Sequence, residues 1–290
     1  MFASYYYNAG ASVADILDDL VLLLTGTTNK AYLSASCNKD ATSISTLISV
    51  AGWELQDASA GTNGKALRSP YVDGSGYKYV YIDANVSGKI MVRLYEIWNA
   101  ASHSGTNLAN GSDTSGVSMD TGTGGRLQLY ASARYLIIGA DTGATPYPIC
   151  VMEMTRMGMD ALYPASIWGN LTTSLPSTSP RVSTPAGDRT GSNAYVTLCS
   201  LGISTFSAAL CAAGPLAALP IYARFRGASN TSSETNTLGR QMPLGSVTAA
   251  SGLYGVVKGV ASGGDNIVIN STAYTILPGQ TWQFLAVPNG

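Results

Sequence analysis

Hydrophobic and polar positions alternate most clearly between Trp53 and Ile138, and the strongest pair of alternating runs sits inside that block. Tyr77-Lys78-Tyr79-Val80-Tyr81-Ile82-Asp83 and Ile90-Met91-Val92-Arg93-Leu94-Tyr95-Glu96-Ile97-Trp98 flank Asn85-Val86-Ser87-Gly88, the pattern of two strands joined by a tight turn. Successive side chains of a strand point to opposite faces, so Tyr77, Tyr79 and Tyr81 share one face and Lys78, Val80 and Ile82 the other. Comparable runs predict strands at 31–37, 53–56, 126–131, 135–139 and 149–154, then at 195–201, 221–225, 253–260, 266–270, 275–277 and 282–287. Gly, Asn, Ser and Thr separate these runs, as in a sandwich or barrel and unlike βαβ units.

A helical period occurs once with conviction. Ser12 is placed to cap a helix over residues 12 to 24, Val13, Ile16, Leu17, Leu20 and Leu24 recur at helical spacing, and Gly26 can end it. Asp15, Asp18 and Asp19 complement the dipole near the helix start and need no catalytic explanation. The alanine-rich segment 207–219 fits either a short helix or a buried loop. The expected fold is therefore mainly β, an antiparallel β-sandwich or barrel-like arrangement with one short N-terminal helix. Its expected organisation is an arm and helix (1–29), a sandwich-like domain (30–168), a Pro/Ser/Thr-rich linker or long loop (169–193) and a second β-rich region (194–290).

Composition changes the picture in one respect. Of the 290 residues 46% are hydrophobic but only 11% charged, against about 25% in an ordinary soluble domain. A free monomer keeps charge on its surface for solubility, whereas a subunit enclosed by neighbours has less surface to keep soluble, so an assembled life is expected. With a net charge of -1 and no cluster of Lys and Arg, a nucleic-acid partner is not expected. The start of the chain shows no basic, apolar leader, and no apolar run reaches the roughly 20 residues that span a bilayer, so cytoplasmic synthesis without membrane insertion is expected.

Candidate chemistry is sparse. Cys37, Cys150, Cys199 and Cys211 are widely spaced in apolar stretches, which favours free thiols over a zinc site, and no cofactor or metal is expected. His103 is the one histidine, in a polar segment read as a loop, and Ser104 beside it lacks an elbow or a companion acid at a recognisable spacing. Glu54, Asp57, Asp83, Glu96, Asp141 and Glu153 lie on or beside strands without the spacing of a hydrolytic pair. Asp73-Gly74-Ser75-Gly76 and Asn110-Gly111-Ser112-Asp113 lack the ligands of a calcium loop and read as turns, and 121–125 is glycine-rich without a phosphate-loop lysine. What remains is aromatic. Tyr5, Tyr6 and Tyr7 suggest an arm that docks on another subunit, and with Tyr77, Tyr79 and Tyr81 they form the expected subunit interface.

The series Gly52-Trp53-Glu54-Leu55, Lys65-Ala66-Leu67-Arg68-Ser69-Pro70, the strand Tyr77 to Asp83, Arg93-Leu94-Tyr95-Glu96-Ile97-Trp98-Asn99-Ala100, His103-Ser104-Gly105-Thr106-Asn107 and Gly125-Arg126-Leu127-Gln128-Leu129-Tyr130 resembles virion structural proteins of tailed bacteriophages, of the tail, baseplate and neck kind. The resemblance covers the N-terminal half and, more loosely, the segment 267–287. It implies a non-enzymatic β-rich subunit, located in the virion, whose partners are copies of itself and other virion proteins. Two alternatives stay open: a receptor- or glycan-binding protein presenting loops such as 99–120 to a host surface glycan, and a capsid decoration protein. An enzyme that degrades wall or capsule polymers would require a catalytic constellation that the residues do not supply.

Overall fold

Ser12 accepts the backbone N–H of Asp15 at 3.0 Å, and the chain runs as helix α1 (Val13–Thr25) until Gly26 turns it out at φ 103, with its N–H on the Leu22 carbonyl. Ile16, Leu17, Asp19, Leu20, Val21, Leu23 and Leu24 are all buried, so the helix is enclosed on most of its circumference and is not a surface amphipath. The computed structural model describes residues 2–26, 51–61, 63–85, 88–109, 116–140, 148–156, 166–170, 195–199, 217–226, 243–257, 266–277 and 283–289. The predicted strand at 31–37 lies outside them. The chain is mainly β and antiparallel, and it divides into two units, residues 1–151 and 152–289.

In the first unit, β1 (Phe2–Tyr7), β8 (Gly125–Ser132), β9 (Tyr135–Ala140) and β10 (Ile149–Glu153) lie side by side in that order. A second sheet has the order β2 (Glu54–Gly61), β3 (Gly64–Pro70), β4 (Tyr77–Asp83), β5 (Lys89–Asn99), β6 (Ser104–Leu108), with β7 (Gly116–Ser118) also on β5. The predicted central hairpin is β4 and β5, with Val80 opposite Leu94 and Ile82 opposite Val92, all four buried. Trp53 ties the sheets together by donating its indole N–H to the Ser132 carbonyl at 2.9 Å. The Ser69 hydroxyl reaches the carbonyls of Gly52 and Ala133 at 3.1 and 2.8 Å. Only glycine suits position 52, where φ is 79 and a Cβ would sit 2.8 Å from that of Ala133.

Lys78 falls on the Val80/Ile82 face, as its parity predicts, and is fully buried there. Its ammonium donates to the Pro70 carbonyl at 3.0 Å and lies 5.7 and 5.3 Å from the ring centres of Trp53 and Tyr71, so aromatic faces replace part of the lost hydration. Cys150, a free thiol, is also buried, and desolvation pushes its pKa up.

The expected tyrosine arm takes a different form. β1 pairs along its whole length with β8, from Phe2 opposite Tyr130 to Tyr7 opposite Gly125. Strand alternation sends Tyr5 and Tyr7 into the core, at 0% and 1% exposure, while Tyr6 stands half-buried on the other side against Arg126, whose guanidinium lies 5.7 Å from its ring centre. Tyr5 donates to the buried Asp19 carboxylate of α1 at 2.6 Å. Three tyrosines in a row cannot share one face, but two faces accommodate them within the chain. Tyr5 and Tyr7 are thus core residues and not an exposed docking arm.

The second unit contains β11 (Thr155–Arg156), β12 (Ser166–Asn170), β13 (Tyr195–Cys199), β14 (Ala217–Pro220), β15 (Tyr222–Arg226), β16 (Pro243–Ser246), β17 (Tyr254–Val257), β18 (Asn266–Ile269), β19 (Thr272–Leu277) and β20 (Gln283–Pro288). β11-β16-β15-β13 form one antiparallel sheet and β14-β17-β20-β19-β18 another. On one face of the latter, Tyr274, Ile276 and Ala286 form a buried cluster backed by Tyr254, Ile267 and Ile269. A second helix, α2 (Val247–Ser251), adds to the one expected. It is a single turn, too short to show a period, yet it is fully capped: Ser246 accepts the Ala249 N–H at 3.1 Å and Gly252 adopts φ 72. Residues 217–219, the end of the alanine-rich segment, form part of a strand, because pairing with β17 overrides alanine's helix preference. The division between units falls ahead of the expected linker at 169–193, of which 171–193 lie outside the described residues.

Candidate functional site

The register of the β2 to β6 sheet assembles two cross-strand rows on one face. Glu54, Arg68, Tyr79 and Tyr95 stand opposite one another in sequence, and Asp57, Ala66, Tyr81 and Arg93 form the next row. Tyr77 follows at the end, opposite Pro70. The three β4 tyrosines therefore share a face, as alternation predicts, but their surroundings differ.

Tyr81 is engaged within the sheet. Its ring stacks on Trp98 with centres 5.3 Å apart and planes 16° off parallel, while Tyr95 meets Trp98 edge-on at 5.5 Å and 69°. The Arg93 guanidinium lies over the Tyr81 ring, 5.7 Å from its centre, and pairs with the buried Asp83 carboxylate. Tyr81 and Tyr95 also occupy the space a side chain would fill in neighbouring strands: a Cβ at Gly64 would strike the Tyr81 ring, and one at Gly105 the Tyr95 ring. Burial pushes the Tyr81 phenol up, partly offset by the Arg93 charge. Tyr77, by contrast, is 38% exposed, with its ring centre 6.5 Å from that of Tyr79. The Arg68 guanidinium lies 4.5 Å from the Tyr77 ring centre and donates to Glu54 at 2.8 Å, a surface ion pair with an aromatic shelf beneath it. Ile97, on β5, is 54% exposed.

Beside these rows lies a polar knot that no local pattern announces. Asp57 Oδ2 is 3.0 Å from the Trp98 indole N–H and 2.9 Å from His103 Nδ1, and its other oxygen accepts the Ser59 N–H at 3.0 Å. Burial alone would raise the Asp57 carboxyl, but the bonds from His103, Trp98 and Ser59 outweigh it and hold the pKa below its ordinary value. Asn99 shapes the β5–β6 turn by accepting the N–H groups of Ala101 and Ser102 at 2.9 and 3.3 Å, and His103 is carried there at φ 51. The expected surface histidine is thus half exposed but anchored at its Nδ1 to a buried acid. An imidazole so held could serve as a base, yet the hydroxyls of Ser102 and Ser104 pair with each other at 2.8 Å, and the arrangement ties the turn to β2. The partners lie 41 and 46 residues from Asp57, so spacing could not reveal them.

The other loop motifs behave as turns. Asp73 accepts the Ser75 N–H at 2.9 Å, and Asp120 accepts those of Gly122 and Thr123 at 3.0 and 3.3 Å. Residues 110–113 lie outside the described ones. Among the described residues no three His, Cys, Asp or Glu side chains are grouped to hold a metal, and no helix is long and apolar enough to cross a membrane.

Fold and face together define a class, a mainly β antiparallel chain with a tyrosine-lined sheet surface. No protein-family model matches it, and no curated protein matches it.

Proposed function

We propose that this chain is a non-enzymatic structural subunit of a tailed-phage virion, in the tail or baseplate, joined to its neighbours through the outer face of the β2 to β6 sheet. The observation that carries the reading is a pair of exposed side chains this sheet presents, Tyr77 at 38% beside the half-buried Tyr79 on β4, and Ile97 at 54% on β5. Tyrosines of this kind supply large contact area with little loss of side-chain freedom, which suits permanent interfaces. The low charge of the chain and the phage-like strand series support the same reading. Its partners are copies of itself and other virion proteins. The test is mass spectrometry and electron microscopy of purified particles: the chain is expected in stoichiometric copies at a fixed position, and its absence from particles removes the proposal.

One observation favours a second reading, a receptor-binding role. Tyr77 with the Arg68–Glu54 pair offers a ring for stacking and charged groups for hydroxyl contacts, the combination that recognises a glycan. Saturable binding to host glycans, lost in Tyr77→Ala, would favour it over a purely architectural role.

A further inference from the structure

Edge strands expose unpaired backbone groups, and proteins usually blunt them with charge, proline or bulges. Two edges in this chain are blunted. β2 carries Glu54 and Asp57 and two register shifts against β3, and β14 ends in Pro220. β18 has none of these devices. Among the described residues it has a strand neighbour on one side only, it pairs with β19 without a shift, and Val268 is 73% exposed, the most exposed of the large hydrophobic side chains. The turn that follows, Asn270-Ser271 at φ 48 and 66, is the two-residue hairpin type that fixes register and twist.

The sequence of this edge specifies its occupant. Asn266-Ile267-Val268-Ile269-Asn270 reads the same in both directions about Val268. When two copies of a strand pair antiparallel about a two-fold axis, the residue on the axis meets itself and side chains directly opposite share a face. Centred on Val268, that operation places Ile267 against Ile269 of the other copy and Val268 against Val268, and brings Asn266 to the end of the paired segment, next to the turn residue Asn270 of the other copy. Ile267 and Ile269 already pack on the buried Tyr274 and Ile276 cluster, so the second copy would extend that apolar face. Every pair is like with like, β-branched or amide, and no charge meets its equal. Asn266 Oδ1 accepts from Thr275 and Asn289 at 3.0 and 3.4 Å, and neither bond uses its amide nitrogen.

We infer that β18 is a self-pairing edge at which two copies of this chain join antiparallel about Val268, merging two five-stranded sheets into one. The test uses the full chain. Val268→Cys is expected to yield a reducible dimer on mild oxidation, with the linked peptides both containing position 268, because strand partners approach within about 4.5 to 5.5 Å between Cα atoms. Ala273→Cys, exposed on the same face one strand inward, should not link, because its equivalents would lie three strand spacings apart, about 14 Å. In light scattering over a concentration series, Val268→Lys should weaken self-association by at least about tenfold, since it sets two like charges face to face. An unchanged far-UV spectrum and melting temperature would show that the fold is intact, and Val268→Thr should associate as the parent does. If the chain associates but Val268→Lys leaves its mass unchanged and Val268→Cys does not link, the β18 pairing is overturned while the multi-copy reading stands. A monomer at every concentration, unlinked by oxidation, overturns the pairing, and particle composition then decides the virion role separately.

Discussion

Two tyrosine rows in the same unit, Tyr5-Tyr6-Tyr7 on β1 and Tyr77, Tyr79, Tyr81 on β4, have similar chemistry and different fates. On β1 the consecutive residues split between faces, and Tyr5 and Tyr7 become core side chains, one of them fixed by the Asp19 carboxylate. On β4 the alternate residues stay on one face, where Tyr81 covers glycines and stacks on Trp98 while Tyr77 remains open. The contrast teaches that a tyrosine's availability for a partner is set by what the adjacent strand offers beneath the ring. Glycine at 64 leaves room for the Tyr81 ring, which stacks on the indole at 98, whereas Tyr77, opposite Pro70, has the Arg68 guanidinium and the Tyr79 ring against it and stays 38% exposed.

The comparison breaks most easily at Tyr5. Tyr5→Ala should cost about 3 to 5 kcal/mol of stability by denaturant unfolding, the range for emptying a buried aromatic site. Tyr5→Phe, which removes the hydroxyl that donates to Asp19, should lose about 1 to 3 kcal/mol. Next comes Tyr81→Ala, which unstacks Trp98 and uncovers Gly64, with an expected loss of about 2 kcal/mol. Tyr77→Ala should alter stability by less than about 0.5 kcal/mol. Its effect is expected in incorporation into particles, which sharpens the distinction between a tyrosine that builds the chain and one that serves a partner.

The polar knot adds a pH dependence on the acid side. Asp57 has a folded pKa below its ordinary 3.8, so its contribution to stability is complete above that pH and is lost as pH falls through the lowered folded value. The stability difference between the parent and Asp57→Asn should therefore shrink as the pH falls below about 4. Unfolding curves at a series of acidic pH values measure this, and a difference that grows below about pH 4 would contradict the assignment.

Local patterns made much of the first unit legible. Ser12 and Gly26 bracket α1 as capping rules require, and the period of two in 77–82 assigned Lys78 and the tyrosines to opposite sides. The strand character of Phe2-Ala3-Ser4-Tyr5-Tyr6-Tyr7 was missed because its partner is Gly125 to Tyr130, and alternation alone does not report what a strand pairs with. Asp57, Trp98 and His103 were hidden for the same reason, since three strands and a turn must assemble before they meet. α2 escaped because five residues hold barely more than one turn, although Ser246 and Gly252 were visible as caps.

The β1–β8 register also governs the order of events during synthesis. Phe2 is opposite Tyr130, so the first strand leaves the ribosome long before its mate has been translated. Until then a short, uncharged, aromatic-rich ribbon waits without its ladder, the kind of segment that sticks to others of its kind. Early occlusion by α1, which is made immediately afterwards and offers Asp19 to Tyr5, would shelter the nascent ribbon, so disrupting that helix should lower soluble yield before it alters any finished molecule.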